Sequence, residues 1–173
     1  ADMAAHAFET LWQAGQAHGM MLCGMHMMDS CRIEKGFRHF GHDITCEDHV
    51  LEAGLGFAVK TDKPAFIGRA AVLEKRQTGL ETRLVQFKLT DPQPMLYHNE
   101  PILRDGEIVG YLSSGAYGHH LGAAIGMGYV PCKSESAAQV LASRYEIDVA
   151  GIKVGAEASL RPMYDPTSQR VKA

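Results

Sequence analysis

The sequence predicts an α+β chain in two parts, a helical first part over residues 1–79 and a small antiparallel β-barrel over residues 80–173. Three observations carry this reading. Before about residue 78 the apolar residues recur at helical spacing. After Gly79 the period changes to two. Turn residues then interrupt the chain every few positions, the texture of a barrel of short strands.

In chain order, Asp2 is placed to cap a helix to about His18, with Met3, Ala7, Phe8, Leu11, Trp12 and Ala14 on its apolar positions. The spacing predicts a second helix from about His26 to Lys35. A third runs from about Gly68 to Arg76, with Ile67, Ala71, Val72 and Leu73 toward one face. Cys46 to Lys60 reads as loop and short turn. A chain that opens on a helix cap, with no methionine at position 1, reads as part of a longer protein.

Arg83 to Thr90 alternates Leu84, Gln86 and Lys88 against Val85, Phe87 and Leu89, the pattern of a half-buried strand. Asp91-Pro92 and Pro94 stop it. Pro101 to Arg104, the Asp105-Gly106 turn and Glu107 to Tyr111 form a hairpin. Gly122 to Val130 is a glycine-rich strand beside which another backbone passes. Tyr145 to Val149 pairs with Ile152 to Val154 across Ala150-Gly151, which gives four or five short strands in all.

Seventeen Lys and Arg against twenty Asp and Glu leave a net charge of −3 without a basic block, which argues against nucleic acid as partner. Every apolar stretch is broken well before the roughly 18 residues a membrane span needs, and the first residues lack a secretory signal pattern. These features point to a cytoplasmic protein. Cys23, Cys31, Cys46 and Cys132 are too far apart for a Cys-x-x-Cys pair and read as free thiols. Nine histidines and nine methionines are many for this length. Met20-Met21 and Met25-His26-Met27-Met28 read as fillers of irregular core gaps, with a soft-metal site as the alternative. His39, His42 and Asp43 resemble a metal cluster on paper but lack a further ligand, so no metal site is assigned. His119-His120 behind Ser113-Ser114-Gly115 suggests hydroxyl and imidazole chemistry, yet no nucleophile elbow surrounds either serine, and no catalytic residue is assigned.

The most informative run is Cys31-Arg32-Ile33-Glu34-Lys35-Gly36, followed by His39-Phe40-Gly41-His42-Asp43-Ile44. Gly36 can take the positive φ that ends a helix, and Gly41 lets the backbone approach something closely. Arg32 and Glu34 read as ties to backbone amides and carbonyls. The same run resembles the segment shared by the glycine-cleavage T-protein family and the C-terminal halves of dimethylglycine and sarcosine dehydrogenases. The likeness continues through Leu51-Glu52-Ala53-Gly54-Leu55-Gly56, Phe66-Ile67-Gly68-Arg69, Gly126-Met127-Gly128-Tyr129-Val130-Pro131 and Pro162-Met163-Tyr164-Asp165-Pro166.

This resemblance implies that residues 1–79 are the tail of a folate-binding α/β domain and residues 80–173 the family's C-terminal barrel. It implies tetrahydrofolate as the cofactor, with FAD only where an oxidase domain is fused, and the passage of a one-carbon unit from an amine donor to the folate. The family's two carboxylates for this chemistry lie upstream of the segment matching residue 1, so the upstream part of the same protein is an implied partner. Two folate-site positions fall in this chain. A folate-contacting arginine of the family corresponds to Met28, whose thioether cannot replace a guanidinium but resembles the apolar residue of the dehydrogenase branch. A folate-contacting tyrosine corresponds to Tyr164, which either offers a ring and a hydroxyl to the ligand or plugs the barrel edge. The alternative to a transferase module is a barrel fragment that binds no folate by itself. The sequence does not specify the amine.

Overall fold

The computed structural model describes residues 2–133 and 135–172. Six strands form a closed antiparallel barrel: β1 (Thr82–Leu89), β2 (Pro101–Arg104), β3 (Glu107–Gly118), β4 (Ala123–Pro131), β5 (Tyr145–Val149) and β6 (Ile152–Ser159). Their order around the barrel is β1-β4-β3-β2-β5-β6, with β6 pairing back onto β1 through Gln86↔Ser159 and Leu89↔Ala156. Closure leaves no unpaired sheet edge. The two-residue turns come from local sequence: Asp105 and Gly106 both take positive φ, as the tight turn between β2 and β3 requires, and Ala150-Gly151 does the same between β5 and β6.

Val85, Phe87, Leu89, Leu96, Ile102, Leu112, Val130 and Ile147 fill the barrel. Gly115 has no room for a side chain, since a Cβ there would lie 2.7 Å from the Leu96 carbonyl carbon. The segment around Leu96 therefore lies directly against β3.

Ahead of the barrel come α1 (Ala4–Gln16), α2 (Met25–Glu34) and α3 (Arg69–Thr78), close to the expected spans; α4 (Ala137–Ala142) and the short α5 (Gln169–Lys172) follow β4 and β6. Several expectations need correcting. Met3, not Asp2, is the N-cap of α1, and no side chain caps that helix end. On α3 only Val72 is buried, whereas Ile67 and Ala71 are exposed; the helix is otherwise held by polar contacts such as Lys75 with Glu52 at 3.0 Å. Gly41 meets nothing within 4 Å of a Cβ and is used for its φ of 94°. Among the described residues the strand count is six, not four or five.

Strand β1 is not half-buried: Leu84 and Gln86 are as buried as Val85 and Phe87. The outward face of β1 is covered by α2, whose Ile33 packs with Leu84, Ile125 and Met127 in a second cluster. Complete burial of Ile33 contributes about 2 kcal/mol. The methionines, by contrast, do not fill core gaps: Met20, Met21, Met25, Met27 and Met28 are all exposed. The face of α2 that meets the barrel is the one bearing Ser30, Ile33 and Glu34, which turns the methionines outward. The cysteines are free thiols, as expected.

Candidate functional site

Helix α2 is attached to the barrel chiefly by polar side chains. It ends at Gly36, whose φ of 62° turns the chain while its N–H bonds the Ile33 carbonyl at 2.9 Å and that of Phe37 bonds the Arg32 carbonyl at 2.9 Å. On its inner face Ser30 Oγ donates to the Tyr117 carbonyl. Gln86 Nε2 donates to the Ile33 carbonyl at 2.5 Å, while its Oε1 accepts from the Met163 N–H at 2.9 Å. One buried amide thus joins α2, β1 and the C-terminal segment.

Asp43, fully buried, is the centre of the loop that follows α2. Its carboxylate accepts from Arg32 Nη1 at 2.6 Å, the His39 N–H at 2.8 Å, Ser113 Oγ at 2.5 Å and Ser114 Oγ at 2.6 Å. Adjacent residues of a strand normally face opposite sides. Here the register shifts between Leu112 and Ser114, and this bulge lets both hydroxyls reach one carboxylate. Neither serine bonds a histidine, so the hydroxyl–imidazole pairing raised by the sequence does not form. Arg32, read as a backbone tie, does reach the Phe37 carbonyl at 3.4 Å, but its shorter contacts are to side chains: Asp43, Asp29 at 3.2 Å and Ser114 at 3.2 Å.

Glu34, also buried, closes the other end of α2. It accepts from the N–H groups of His120 at 2.7 Å and Leu121 at 3.1 Å and lies 2.9 Å from His120 Nδ1. A carboxylate only accepts, so Nδ1 is the ring nitrogen that donates to Glu34. The His120 ring packs against that of Tyr164, centroids 4.4 Å apart and planes at 30°. The Tyr164 hydroxyl accepts from Arg170 Nη1 at 2.5 Å, and the Tyr164 N–H bonds the Glu34 carbonyl at 3.2 Å. Tyr164 is therefore fixed by three residues, His120, Arg170 and Glu34. Beside it Lys35 Nζ bonds the Asp165 carbonyl oxygen at 2.6 Å and its carboxylate at 3.2 Å. Burial acts to raise the Asp165 carboxyl, but the Gln169 N–H and the Lys35 ammonium outweigh it and hold that group below its ordinary value.

The two positions implied by the resemblance do not meet in one cavity among the described residues. Met28 is exposed on α2 and Tyr164 lies at the C-terminal end of the same helix; neither lines any of the larger clefts. The prolines flanking Tyr164 do line one. A cleft of about 640 Å³ lies between Pro162, Pro166, Leu160, Phe37 and Phe57, with Lys35, Arg38 and Arg161 on its walls. Arg38 donates to the carbonyls of Ala53 at 3.0 Å and Gly36 at 2.6 Å, and burial lowers its guanidinium below the ordinary value while Asp43 pulls the other way. This cleft was not foreseen, because its residues come from three separated segments.

A closed six-stranded antiparallel barrel with helix α2 docked on its outer face defines the class of fold. Residues 82–165 match the glycine cleavage T-protein C-terminal barrel domain and residues 1–63 the N-terminal domain of the same protein, and the chain belongs to the glycine-cleavage T-protein family. It is 40% identical over 173 residues to 4-methylaminobutanoate oxidase (formaldehyde-forming) of Paenarthrobacter nicotinovorans, covering 99% of this chain and 20% of that protein. It is 36% identical to human mitochondrial sarcosine dehydrogenase, covering 95% of this chain and 18% of that one. An aminomethyltransferase of Halothermothrix orenii is 40% identical over 129 residues, 75% of this chain and 36% of that one. The crystal structure of glycine cleavage system aminomethyltransferase T from Bartonella henselae superposes with a TM-score of 0.68 at 27% identity, over 80% of this chain and 38% of that one. The chain thus spans about a fifth of the length of the first two relatives. Among the described residues no helix is long and apolar enough to cross a membrane.

Proposed function

We propose that this chain supplies one wall of a tetrahydrofolate site in a protein that transfers a one-carbon unit from an N-methyl amine or aminomethyl donor to tetrahydrofolate. The division at residues 79 and 80 into the end of a folate-binding domain and a barrel belongs to this reading. The observation that carries it is Tyr164, held by His120, Arg170 and Glu34 beside a cleft with aromatic and cationic walls. A folate has a flat aromatic body and an anionic glutamate tail. The Tyr164 ring suits the first by stacking, and Lys35, Arg38 and Arg161 suit the second by charge-assisted hydrogen bonds. Bound folate would supply the nitrogens that accept the carbon unit; this chain's own residues bind and orient it.

The cleft walls carry no carboxylate. The acid groups for proton transfer and for the polar ring edge therefore come from the upstream part of the protein, and FAD belongs to this system only where an oxidase domain is fused. One observation favours a second reading, a barrel that closes the site without touching the ligand: neither Met28 nor the Tyr164 side chain lines any of the larger clefts.

Titration of the intact protein with tetrahydrofolate tests the proposal. Binding is expected, and Tyr164→Ala should weaken it about tenfold, the effect of one aromatic contact and one hydrogen bond. Absence of binding overturns the folate reading. Unchanged affinity in the variant favours the second reading.

A further inference from the structure

Four of the nine histidines line one cavity that the folate reading does not use. It is a cleft of about 270 Å³ between α2, the loop carrying His39 and His42, and the segment 95–98, with Ser113 to Ala116 of β3 as its floor. We propose that this cleft binds a small oxyanion, a phosphate or carboxylate, and takes up protons as it does so.

The charges around the cleft support this. The titratable groups facing it are His26, Asp29 and Arg32 from α2, His39 and His42 from the loop with Asp43 behind them, and Tyr97 and His98 from the segment 95–98; β3 contributes only hydroxyls and backbone. Asp29 and Asp43 are both engaged by Arg32. With neutral imidazoles the group carries one more negative than positive charge, which repels an anion. Each proton taken up by an imidazole reverses one unit of that balance, and imidazole is the side chain that ordinarily exchanges a proton near neutral pH.

None of these four imidazoles is paired with a carboxylate: among the described residues the single histidine–carboxylate pair is His120 with Glu34, away from this cleft. The His39 and His42 rings stack with centroids 4.5 Å apart, so two charges there repel unless an anion lies between or beside them. The serine hydroxyls are already committed to Asp43, which leaves imidazole N–H groups to hold the ligand. A divalent cation fits less well, because among the described residues no group of three or more His, Cys, Asp or Glu is placed to hold a metal.

Calorimetric titration of the intact protein with sulfate, whose charge is constant over the range, tests this at about pH 6 and about pH 8. Sulfate should bind at the lower pH and at least about tenfold more weakly at the higher, with proton uptake visible as a dependence on buffer ionisation enthalpy. The double variant His39→Gln with His42→Gln should lose sulfate, as should His98→Gln, which changes only an exposed side chain and keeps the test valid if the double variant unfolds. His6→Gln on α1 should bind as the parent does. Phosphate and succinate compared at the lower pH then distinguish the two ligand classes. Binding independent of pH, no binding at either pH, sulfate retained by the folded variants, or stoichiometric zinc uptake that displaces sulfate would each overturn the proposal.

Discussion

The Glu34 carboxylate accepts the His120 N–H at 2.7 Å and faces the His120 Nδ1 at 2.9 Å, so a side chain at the end of α2 caps the turn between β3 and β4. This contact joins residues far apart in sequence at a position only 2% exposed. Replacing Glu34 by Ala strands two backbone donors and the imidazole N–H. A loss of about 3 kcal/mol in unfolding free energy is expected, measured by urea denaturation. A loss under about 0.5 kcal/mol, the scale of an ordinary surface change, would contradict the role given to Glu34.

Arg32 and Asp43 should be strongly coupled. Arg32→Met alone leaves a buried carboxylate held only by hydroxyls and one amide, and Asp43→Asn alone leaves a guanidinium beside a neutral group. Each single change is expected to destabilise by about 2–4 kcal/mol. The double variant should lose less than the sum, by roughly 1–3 kcal/mol. A double-mutant cycle on denaturation midpoints reads this directly, and strict additivity would mean that the ion pair contributes nothing.

The tight turn between β5 and β6 offers a stabilising change. Ala150 sits at φ 52°, a left-handed conformation that alanine disfavours, while the Gly151 N–H bonds the Asp148 carboxylate at 2.7 Å. Asn tolerates that conformation well, so Ala150→Asn should stabilise by about 0.5–1 kcal/mol. Thermal unfolding should show the midpoint rise by a few degrees, roughly in proportion; a fall would contradict the turn geometry.

The C-terminal segment should loosen in acid. The Asp165 carboxyl is held below its ordinary value: burial alone would raise it, and the Gln169 N–H and Lys35 outweigh that. A depressed carboxyl stabilises the folded form above the unfolded-state pKa, and the contribution is lost as pH falls through the folded value. The loss should therefore begin below about pH 4, the ordinary Asp range, and grow with further acidification. Amide hydrogen exchange over residues 164–170 should accelerate there. In Asp165→Asn that exchange should already be fast at neutral pH and change little in acid.

The helices and the β2–β3 hairpin were legible because their signals are local: a 3.6-residue apolar period, a glycine with positive φ, an Asp-Gly turn. The burial of β1 was not. Alternation reports which face of a strand is apolar, but Gln86 is buried by an amide that bonds the Ile33 carbonyl and the Met163 N–H, and a polar residue in the outward register reads as solvent-facing. The role of Asp43 was hidden for a related reason. Its serine partners lie 70 and 71 positions away, and the bulge that brings both hydroxyls to one face leaves no mark in the hydrophobic pattern. Glu34 was read correctly as a tie to backbone amides, while the pairing of His120 with Tyr164 depends on a chain reversal that no local spacing encodes.

The attachment of α2 also sets an order of events for a chain emerging from the ribosome. Its polar anchors wait for Ser114 and Tyr117, 82 and 87 positions later, and Lys35 waits for Asp165, 130 positions later. Barrel closure likewise needs β6, the last strand of the barrel, to find β1, its first. Such distant pairings are slow to form, so α2 stays undocked until β3 and the C-terminal segment have been made, and its charged and hydroxyl-bearing inner face keeps that waiting helix from being a sticky one.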